Sequence, residues 1–544
     1  EINEKLSLAV RGNYDYAIKS FEQQHAATSN TTNIHKNGGW EYRKYTDELV
    51  YGDAILRYNE KFGDFSLDLI AGGSYQKTTY GDGISVPSSA NDGLIYPNEF
   101  FLQNLMTNVM VSSTLGSKLI KQALFANAAI GWKDMLYLDI SGRNDWASSL
   151  AGTGNDSYFY PMFGATWIIS ETFAMPSIIN FAKVRASNTV VGNEVPYNRV
   201  DPQHSINSGG GVSRNTQQPF RTLKPELINS TEIGTNWRFW DERFGFDFTW
   251  YSIESRDQYI QLPAPSGSGY TTYFINAGLI TNKGVEISLD ITPVLTNNFS
   301  WTSTFNYSKN NNEVVEMHED LNAITTGSSE GYGSKFEAGG SIGDLFVLMY
   351  QRDEQGRIIL DSNTGAPTKT PTQEYAGNLN PDWILGWDNR FEMGKFALNF
   401  LIVGKFGGVS FSQTESMLDK AGTSQRTADA RDAGGVSVNA VQDGASVSTV
   451  DPETWYFTVG GRNGIGEAYV YDRSNLRLSQ FAVSYNFNWS TKNFPTTVSL
   501  VGQNLFFFFN ESPFDPDLAM STNRSWEALD NFNLPVTRTF GFNL

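Results

Sequence analysis

The sequence contains no cysteine in 544 residues, which excludes disulfides, thiolate zinc sites and cysteine nucleophiles together. It also lacks any run of 18 or more apolar residues, and this excludes a transmembrane helix. Charged residues make up only 18%, with a formal net charge of -18. Because phosphate binding needs a basic face, the acidic balance argues against nucleic acid as a partner.

Aromatic residues, by contrast, are abundant: the chain has 13 Trp, 25 Tyr and 37 Phe. So many large apolar side chains exclude a disordered chain. The sequence opens on Glu1 in a strand-like pattern without a signal peptide, and it stops at Leu544 inside another such pattern. We therefore expect it to be part of a longer polypeptide.

Hydrophobic residues recur with a period of two, and helical periodicity is nearly absent. Val285, Ile287 and Leu289 alternate with polar residues, and Phe244, Phe246, Phe248 and Trp250 do the same. This pattern predicts an all-β protein. A soluble sandwich with its apolar face turned inward would show the same alternation, so alternation alone does not choose between sandwich and barrel.

The lengths of the connections between these segments favour a membrane barrel. Short turns are predicted at Gly63-Asp64, Lys133-Asp134, 240–243, 295–298, Gly394-Lys395 and 490–493. They alternate with long polar connections at about 18–37, 81–116, 147–156, 194–222, 263–269, 317–381, 407–466 and 510–533. In an up-and-down antiparallel barrel that crosses a membrane, one rim carries tight periplasmic turns and the other carries long extracellular loops.

Aromatic residues flank the predicted short turns, as expected for a ring of side chains at the membrane interface. A soluble protein could also cap its core in this way. The residues assigned to this girdle are Phe62, Phe65, Trp132, Trp240, Phe244, Trp301, Phe396 and Trp489. The hairpins add up to about 16 strands, with boundaries good to a few residues.

Nothing in the sequence predicts catalysis, a cofactor or a metal site. The four histidines, His25, His35, His204 and His318, all fall in predicted external loops. The segment that begins at Asp361 opens like a calcium loop, but position twelve is Thr372 where a bidentate Glu is needed. We therefore predict that the protein is not an enzyme.

Aromatic residues in or beside the long loops are the candidate ligand-binding residues. Aromatic faces with neighbouring amides and carboxylates suit sugars and peptides. The alternative is that these rings pack the loops onto each other. The candidates are Tyr197, Tyr270, Tyr273, Tyr332, Trp455, Tyr456 and Trp526.

Several blocks of residues resemble one known family. Ser266 to Tyr270, Asn276-Ala277-Gly278 and Asn282 to Glu286 are similar to a signature of SusC/RagA-type TonB-dependent outer-membrane transporters. Further blocks follow in the family's order: Gly142 to Trp146, Leu223 to Glu226, Asn380 to Trp383, Gly502 to Phe506, and Asp515-Pro516-Asp517. The resemblance runs from about residue 40 to the end of the chain.

The resemblance implies that residues 1–544 form the C-terminal part of a TonB-dependent receptor β-barrel of about 22 strands with a plugged lumen. The plug and the TonB-contacting segment are not visible in this sequence. The implied function is active uptake of an oligosaccharide or peptide across the outer membrane of a Bacteroidetes-type bacterium. The implied partners are a SusD-like surface lipoprotein, a TonB complex acting through the N-terminal region, and outer-membrane lipid.

Two other functions remain open from the sequence. A passive porin of about 16 strands would show the same alternation and the same sorted loops. A secreted carbohydrate-binding β-protein would need to be soluble without detergent, which an exposed band of Phe, Trp and Leu opposes.

Overall fold

The structure is a computed structural model of the chain. It describes residues 2–29, 34–86, 93–107, 111–114, 116–206, 211–265, 267–318, 323–328, 331–489, 494–517 and 529–544.

Strands dominate the described residues from the first residues onward. In chain order the first fourteen are β1 (Leu6–His25), β2 (Gly39–Phe62), β3 (Phe65–Val86), β4 (Ser112–Thr114), β5 (Ser117–Trp132), β6 (Leu136–Ala147), β7 (Ser157–Ile168), β8 (Ile179–Asn193), β9 (Ser205–Ile206), β10 (Val212–Ser213), β11 (Glu226–Phe239), β12 (Phe244–Pro263), β13 (Thr272–Leu295) and β14 (Phe299–Glu316).

Shorter strands then alternate with the remaining long ones. They are β15 (Ala323–Ser328), β16 (Tyr332–Glu337), β17 (Asp344–Val347), β18 (Ile358–Ile359), β19 (Glu374–Asn378), β20 (Trp383–Met393), β21 (Phe396–Phe406), β22 (Val409–Ser412), β23 (Val436–Gln442), β24 (Ala445–Val450), β25 (Val470–Asp472), β26 (Asn475–Trp489), β27 (Phe494–Asn510), β28 (Leu529–Asp530) and β29 (Thr539–Asn543). The α-helices are α1 (Ile169–Thr172), α2 (Gln413–Lys420), α3 (Gln425–Asp432) and α4 (Pro452–Val459).

The chain divides into two compact units. The first contains Glu1–Trp167, Ala186–Thr231 and Ser255–Ala277, and the second contains Ile168–Arg185, Glu232–Glu254 and Gly278–Leu544. Strands β7, β8, β11, β12 and β13 each contribute residues to both units.

Antiparallel hairpins build the first unit. Strand β1 pairs with β2, β2 with β3, β3 with β5, β5 with β6, and β6 with β7. The registers are continuous over long stretches, and Arg11 lies opposite Asp53 in the β1–β2 pair. Both β2 and β13 are 24 residues long, whereas a tilted strand needs about 9–11 residues to cross a bilayer. These strands are therefore long enough to extend beyond a membrane.

The second unit has the same hairpin arrangement. Its strands pair in the order β13, β14, β20, β21, β26, β27 and β29, each antiparallel to the next. An all-β fold with mostly antiparallel strands is thus confirmed. The number of strands and the closure of a barrel stay predictions.

The predicted short turns within the described residues are confirmed. Gly63 and Asp64 join β2 to β3, and Gly394 and Lys395 join β20 to β21. Two-residue hairpins favour a left-handed backbone because its twist matches that of the strands, and Gly63 and Gly394 have φ of 59° and 58°. The turn predicted at 490–493 falls outside the described residues.

The long connections of the second unit contain more regular structure than a polar loop. Strands β15, β16, β17 and β19 form one small sheet, β18, β23 and β24 a second, and β22, β25 and β28 a third. The sequence predicted almost no helix, yet α2, α3 and α4 lie between β22 and β25. Each spans eight residues, too short for a clear 3.6-residue period. Capping side chains of Ser412, Ser424 and Asp451 fix where they begin.

The buried apolar clusters lie mainly in the long connections. The largest belongs to the second unit and includes Leu345, Val347, Val459, Ile465 and Tyr469. A smaller cluster in the first unit includes Leu150, Val195 and Leu223. The sequence did not predict this separation, because a strand pattern alone does not show which apolar residues a neighbouring segment covers.

Candidate functional site

One face of the paired strands exposes large apolar side chains. In the first unit, Leu136 and Leu138 on β6 and Phe159 and Phe163 on β7 are exposed. In the second unit, the exposed apolar residues include Leu500, Phe506 and Phe508 on β27 and Phe540 and Phe542 on β29. Leu136 and Leu138, Phe506 and Phe508, and Phe540 and Phe542 are two residues apart, and Phe159 and Phe163 are four apart, so the members of each pair share one side of the sheet. A patch of this extent is unusual on a water-soluble monomer.

The opposite face carries charged pairs that link neighbouring strands. In the first unit, the Arg11 guanidinium donates to both Asp53 carboxylate oxygens at 2.9 and 2.8 Å, and the Tyr51 hydroxyl donates to Asp53 at 2.8 Å. Two parallel donors from one guanidinium fix the geometry of the pair as well as its charge.

The second unit repeats this arrangement. Arg185 pairs with Asp247 at 3.1 Å, and Arg238 pairs with Asp290 at 3.0 Å. Asp290 also accepts a hydrogen bond from the Thr304 hydroxyl at 2.9 Å. Asp247 and Asp290 are among the polar residues that alternate with the apolar residues of these strands in the sequence. Their guanidinium partners were not predicted, because pairing depends on the register between strands.

Exposed aromatic residues lie beside the tight turns, where the sequence predicted the girdle. Phe65 lies opposite Phe62 on one side and Trp132 on the other, and all three are exposed. In the second unit, the ring centroids of Trp240 and Phe244 are 5.9 Å apart. The rings of Phe396 and Tyr485 pack edge to face at 4.6 Å.

Two other girdle residues have different surroundings. Trp301 is partly exposed and stacks on Phe391 at 5.5 Å. Trp489 ends β26, and its side chain falls outside the described residues. The interfacial role of the whole set remains a prediction.

Three of the candidate loop aromatics, Tyr332, Trp455 and Tyr456, belong to the second unit. Tyr332 and Trp455 are buried in the largest apolar cluster, where Trp455 stacks on Tyr350 at 5.6 Å and Tyr456 packs partly buried. Burial removes the faces of Tyr332 and Trp455 from any ligand in this conformation. Their surroundings favour the packing interpretation.

Three further candidates lie in the first unit. Tyr197 is exposed, Tyr273 is half-buried, and the Arg214 guanidinium lies 5.7 Å from the Tyr270 ring centroid. Trp526 lies outside the described residues. The ligand-binding role of this set remains a prediction.

A buried polar group holds the helices of the long connections together. The Asp419 carboxylate accepts hydrogen bonds from the Tyr469 hydroxyl at 2.9 Å and from the Ser424 hydroxyl at 2.6 Å. It also pairs with the Arg426 guanidinium at 2.5 Å. Burial and the neighbouring Asp419 carboxylate raise the pKa of Tyr469 far above its ordinary value. Tyr469 is therefore a neutral donor throughout the physiological range.

A cleft of about 910 Å³ lies beside the end of β14 in the second unit. Its lining combines an asparagine-rich strand end with acidic and aromatic side chains from the neighbouring connection. The lining residues used below are Asn310, Asn312, Glu313, Tyr375 and Asp382. A second cavity of about 510 Å³ lies on the polar face, and Glu286 lines both cavities.

Hydrogen bonds brace one wall of the cleft. The Asn312 side-chain oxygen accepts from the Ser341 hydroxyl and the Ile342 backbone N–H, both at 2.9 Å. Asp344 accepts from the Ser341 N–H at 2.8 Å and from the Asn378 side chain at 3.0 Å. Burial raises the pKa of Asp344, although these hydrogen bonds oppose the shift. This cleft was not predicted from the sequence, and its main sequence signal is the run Asn310-Asn311-Asn312.

Among the described residues, no group of three or more His, Cys, Asp or Glu is arranged to hold a metal ion. No described helix is both long and apolar enough to cross a membrane.

Strands with an exposed apolar face, a polar opposite face and tight turns flanked by aromatics have the features of outer-membrane β-barrel strands. The comparison with protein families agrees. The family described as TonB dependent receptor-like, beta-barrel matches residues 1–505, and the chain belongs to it.

Named relatives are TonB-dependent receptors. TonB-dependent receptor P3 of Formosa agariphila is 25% identical over 546 residues, covering 93% of this chain and 52% of the relative. TonB-dependent receptor SusC of Bacteroides thetaiotaomicron is 19% identical over 391 residues, covering 66% of this chain and 38% of the relative. The chain therefore spans about half the length of the first of these curated relatives, and less of the second. The SusC likeness confirms the resemblance seen in the sequence.

Solved structures share the fold. The RagAB peptide importer in its open-open state superposes with a TM-score of 0.77 at 16% identity, covering 99% of this chain and 58% of that chain. The Escherichia coli outer-membrane transporter YddB gives a TM-score of 0.53 at 12% identity, again over 99% of this chain and 60% of that chain. At these identities the likeness shows the fold alone. The family implies an outer-membrane location, and the relatives are named as receptors and transporters rather than enzymes.

Proposed function

We propose that the protein is the barrel portion of a SusC-like TonB-dependent transporter that imports oligosaccharide or peptide across the bacterial outer membrane. One observation carries the proposal: alternate strand positions expose apolar side chains on one face, while charged pairs occupy the other. A bilayer accounts for both faces, because it covers the apolar side and leaves the polar side to a hydrated lumen.

The backbone gives a second reason to place these strands in a membrane. Hydrocarbon offers no partner to a backbone N–H or C=O, so a strand survives there only when both edges are paired. Strand β2 pairs with β1 and β3, and β3 pairs with β2 and β5, so both have partners on two sides over more residues than a bilayer requires. The aromatic residues beside the tight turns would then lie at the headgroup level on the periplasmic side.

The long connections are the proposed meeting place with a SusD-like surface lipoprotein. They form a packed layer with its own apolar core, which can present a defined surface to a partner. Large side chains on that layer, among them Phe457 and Phe532, are exposed. Energy for uptake would come from a TonB complex that acts on the N-terminal region of the full-length protein.

Uptake by living cells tests the proposal. Cells carrying the full-length protein and matched deletion cells are given fluorescent oligosaccharide and peptide mixtures, with and without a protonophore. We expect accumulation that needs the gene and stops when the protonophore removes the proton gradient. Accumulation that ignores the protonophore would indicate a passive porin, and recovery of the protein in solution without detergent would indicate a secreted binding protein.

A further inference from the structure

We propose that the cleft beside β14 binds an extended peptide with basic side chains, which adds to the open edge of β14 as another strand. This inference rests on the proposed uptake function and names the class of cargo. It depends on the strand register, the volume of the cleft and the charges of its lining.

The edge is open because the two neighbours of β14 differ in length. Strand β13 pairs with β14 from Ser300 to Glu316, whereas β20 pairs with it only from Phe299 to Ser308. Within the part of the chain that the structure describes, residues 309–313 of β14 thus have a strand partner on one side only. Unpaired strand edges are ready templates for another extended chain.

The backbone N–H and C=O groups of alternate residues at this edge point away from β13 and toward the cleft. The Val314 N–H donates to the Gly340 carbonyl, and the Val314 carbonyl accepts from the Gly339 N–H, both at 2.8 Å and both away from β13. Hydrogen-bonding direction alternates along an antiparallel strand, so Asn312 and Asn310 present their N–H and C=O groups on the same side as Val314. The two residues together offer two backbone N–H donors and two backbone C=O acceptors along the edge of β14.

The cleft has room for a strand beside this edge. A paired strand would lie about 4.7–4.9 Å from β14, and the cleft encloses about 910 Å³ there. On the connection side, Tyr375 is 55% exposed and its ring packs edge to face on Phe346 at 5.9 Å. This supported aromatic face suits an alternate side chain of the added strand.

The charges of the lining favour a basic peptide. Glu286, Glu313 and Asp382 form no ion pair with any residue that the structure describes, while Lys309 is the basic residue of the lining. Glu337 is already paired with Lys335 at 2.5 Å. Since these carboxylates do not form a metal-binding group, Lys, Arg or a terminal amine of the ligand would supply the positive charge.

A peptide fits this edge better than a sugar. The edge needs a partner whose donors and acceptors repeat at the two-residue spacing of a strand, and a peptide backbone has that repeat. The hydroxyls of a sugar ring lack it. The aromatic and acidic groups alone would accept either class, so the free backbone edge decides between them.

The test uses the full-length protein in detergent and a terminally labelled heptapeptide, Lys-Thr-Val-Arg-Val-Thr-Lys, with binding followed by fluorescence anisotropy. Two further peptides carry N-methyl groups on alternate residues, one on the odd set of amides and the other on the even set. Strand addition predicts that one set abolishes binding and the other is tolerated, because only one set of amides faces β14. Equal binding of both methylated peptides would overturn the proposal.

A matched pair of variants tests the edge itself. Asn310→Ala and Asn310→Pro both remove the side chain, but only the proline removes the backbone N–H, and proline is tolerated at a strand edge. We expect Asn310→Pro to bind the heptapeptide about three- to tenfold more weakly than Asn310→Ala. Equal affinities would contradict strand addition. Heat-dependent gel mobility confirms that both variants fold.

A second pair of measurements tests the charges and the class of ligand. The double variant Glu313→Gln, Asp382→Asn should bind more weakly than the unchanged protein and lose part of its salt dependence. Maltohexaose is the neutral comparator, and tight maltohexaose binding that Asn310→Pro leaves unchanged would identify a glycan site instead. If peptide binding fails while protonophore-sensitive uptake of some cargo persists, only this inference falls. If cells that carry the full-length protein show no protonophore-sensitive uptake, the proposed transport function is refuted, whatever the result of the peptide-binding test.

Discussion

The sheet and the long connections of the second unit place the same residue types in opposite surroundings. Leu500 on β27 is 63% exposed, whereas Leu345 on β17 is 1% exposed, although both lie in strands. The sheet pairs its backbone through long registers and leaves its apolar face uncovered. The connections have short strands and helices, and their apolar side chains pack against each other.

This difference is the one expected when part of a chain folds in contact with water and another part folds in contact with a lipid bilayer. In water, an apolar side chain is stabilised when protein covers it. In a bilayer, hydrocarbon covers it, and backbone pairing and polar satisfaction determine which structures survive. The long connections thus follow the rules of a soluble domain, and the sheet follows the rules of a membrane protein.

The largest expected effect is a difference in stability when the same substitution, Leu→Ala, is made in each region. Leu345→Ala removes buried methyl groups and leaves a cavity, so it should lower the free energy of unfolding by about 2–5 kcal/mol. Leu500→Ala leaves no cavity and should cost clearly less. Chemical denaturation of both variants in the same detergent measures the two effects. Equal losses would mean that the exposed face is covered in the folded protein.

The next prediction concerns the direction in which the sheet faces. Ile287→Lys or Phe248→Lys should cost about 2–4 kcal/mol if these side chains face lipid near the middle of the bilayer. Ser288→Lys, on the other face of the same strand as Ile287, should be mild. Folding titrations in lipid vesicles provide the measurement. Similar tolerance at Ile287 and Ser288 would refute the assigned orientation.

The sequence predicts the sheet better than it predicts the long connections, because the two regions depend on different kinds of contact. A period of two is local, so residues such as Val285 to Asp290 show their strand without knowledge of any neighbour. The tight turns at Gly63 and Gly394 are equally local. The long connections have no such period, because their core depends on contacts between segments far apart, as between Tyr332 and Phe411 with ring centroids 4.6 Å apart.

The candidate site was predicted less well than the fold. The alternation placed Asp247 and Asp290 on the polar face, but it did not identify Arg185 or Arg238 as their partners. The edge at Asn310 is open because the pairing of β20 with β14 ends at Ile384 opposite Ser308. The first residue of β20, Trp383, pairs with Phe406 of β21 instead. A register of this kind is not visible in one sequence.

A smaller effect tests whether the connections depend on buried polar contacts as well as apolar packing. Tyr469→Phe removes the hydroxyl that donates to Asp419 while it keeps the ring, so it should cost about 1–3 kcal/mol. Tyr197→Phe, at an exposed ring, should change stability by less than about 0.5 kcal/mol. Amide hydrogen exchange in α2 and α4 would locate the loss. A silent Tyr469→Phe variant would show that Asp419 is satisfied by its other partners.

The smallest expected effect is a pH dependence confined to the connections. Burial raises the pKa of Asp344 in the folded protein above the ordinary aspartate value of about 3.9. The contribution of this group is therefore fully present below that ordinary value and is lost as the pH rises through the folded-state pKa. The free energy of opening at β16 and β17, obtained from hydrogen exchange after correction for the intrinsic exchange rate at each pH, should rise on acidification in the unchanged protein. This pH dependence should flatten in Asp344→Asn. Because strand pairing in the sheet does not involve this carboxyl, exchange in β26 and β27 serves as the internal control, and a matching response there would show that the two regions do not respond separately.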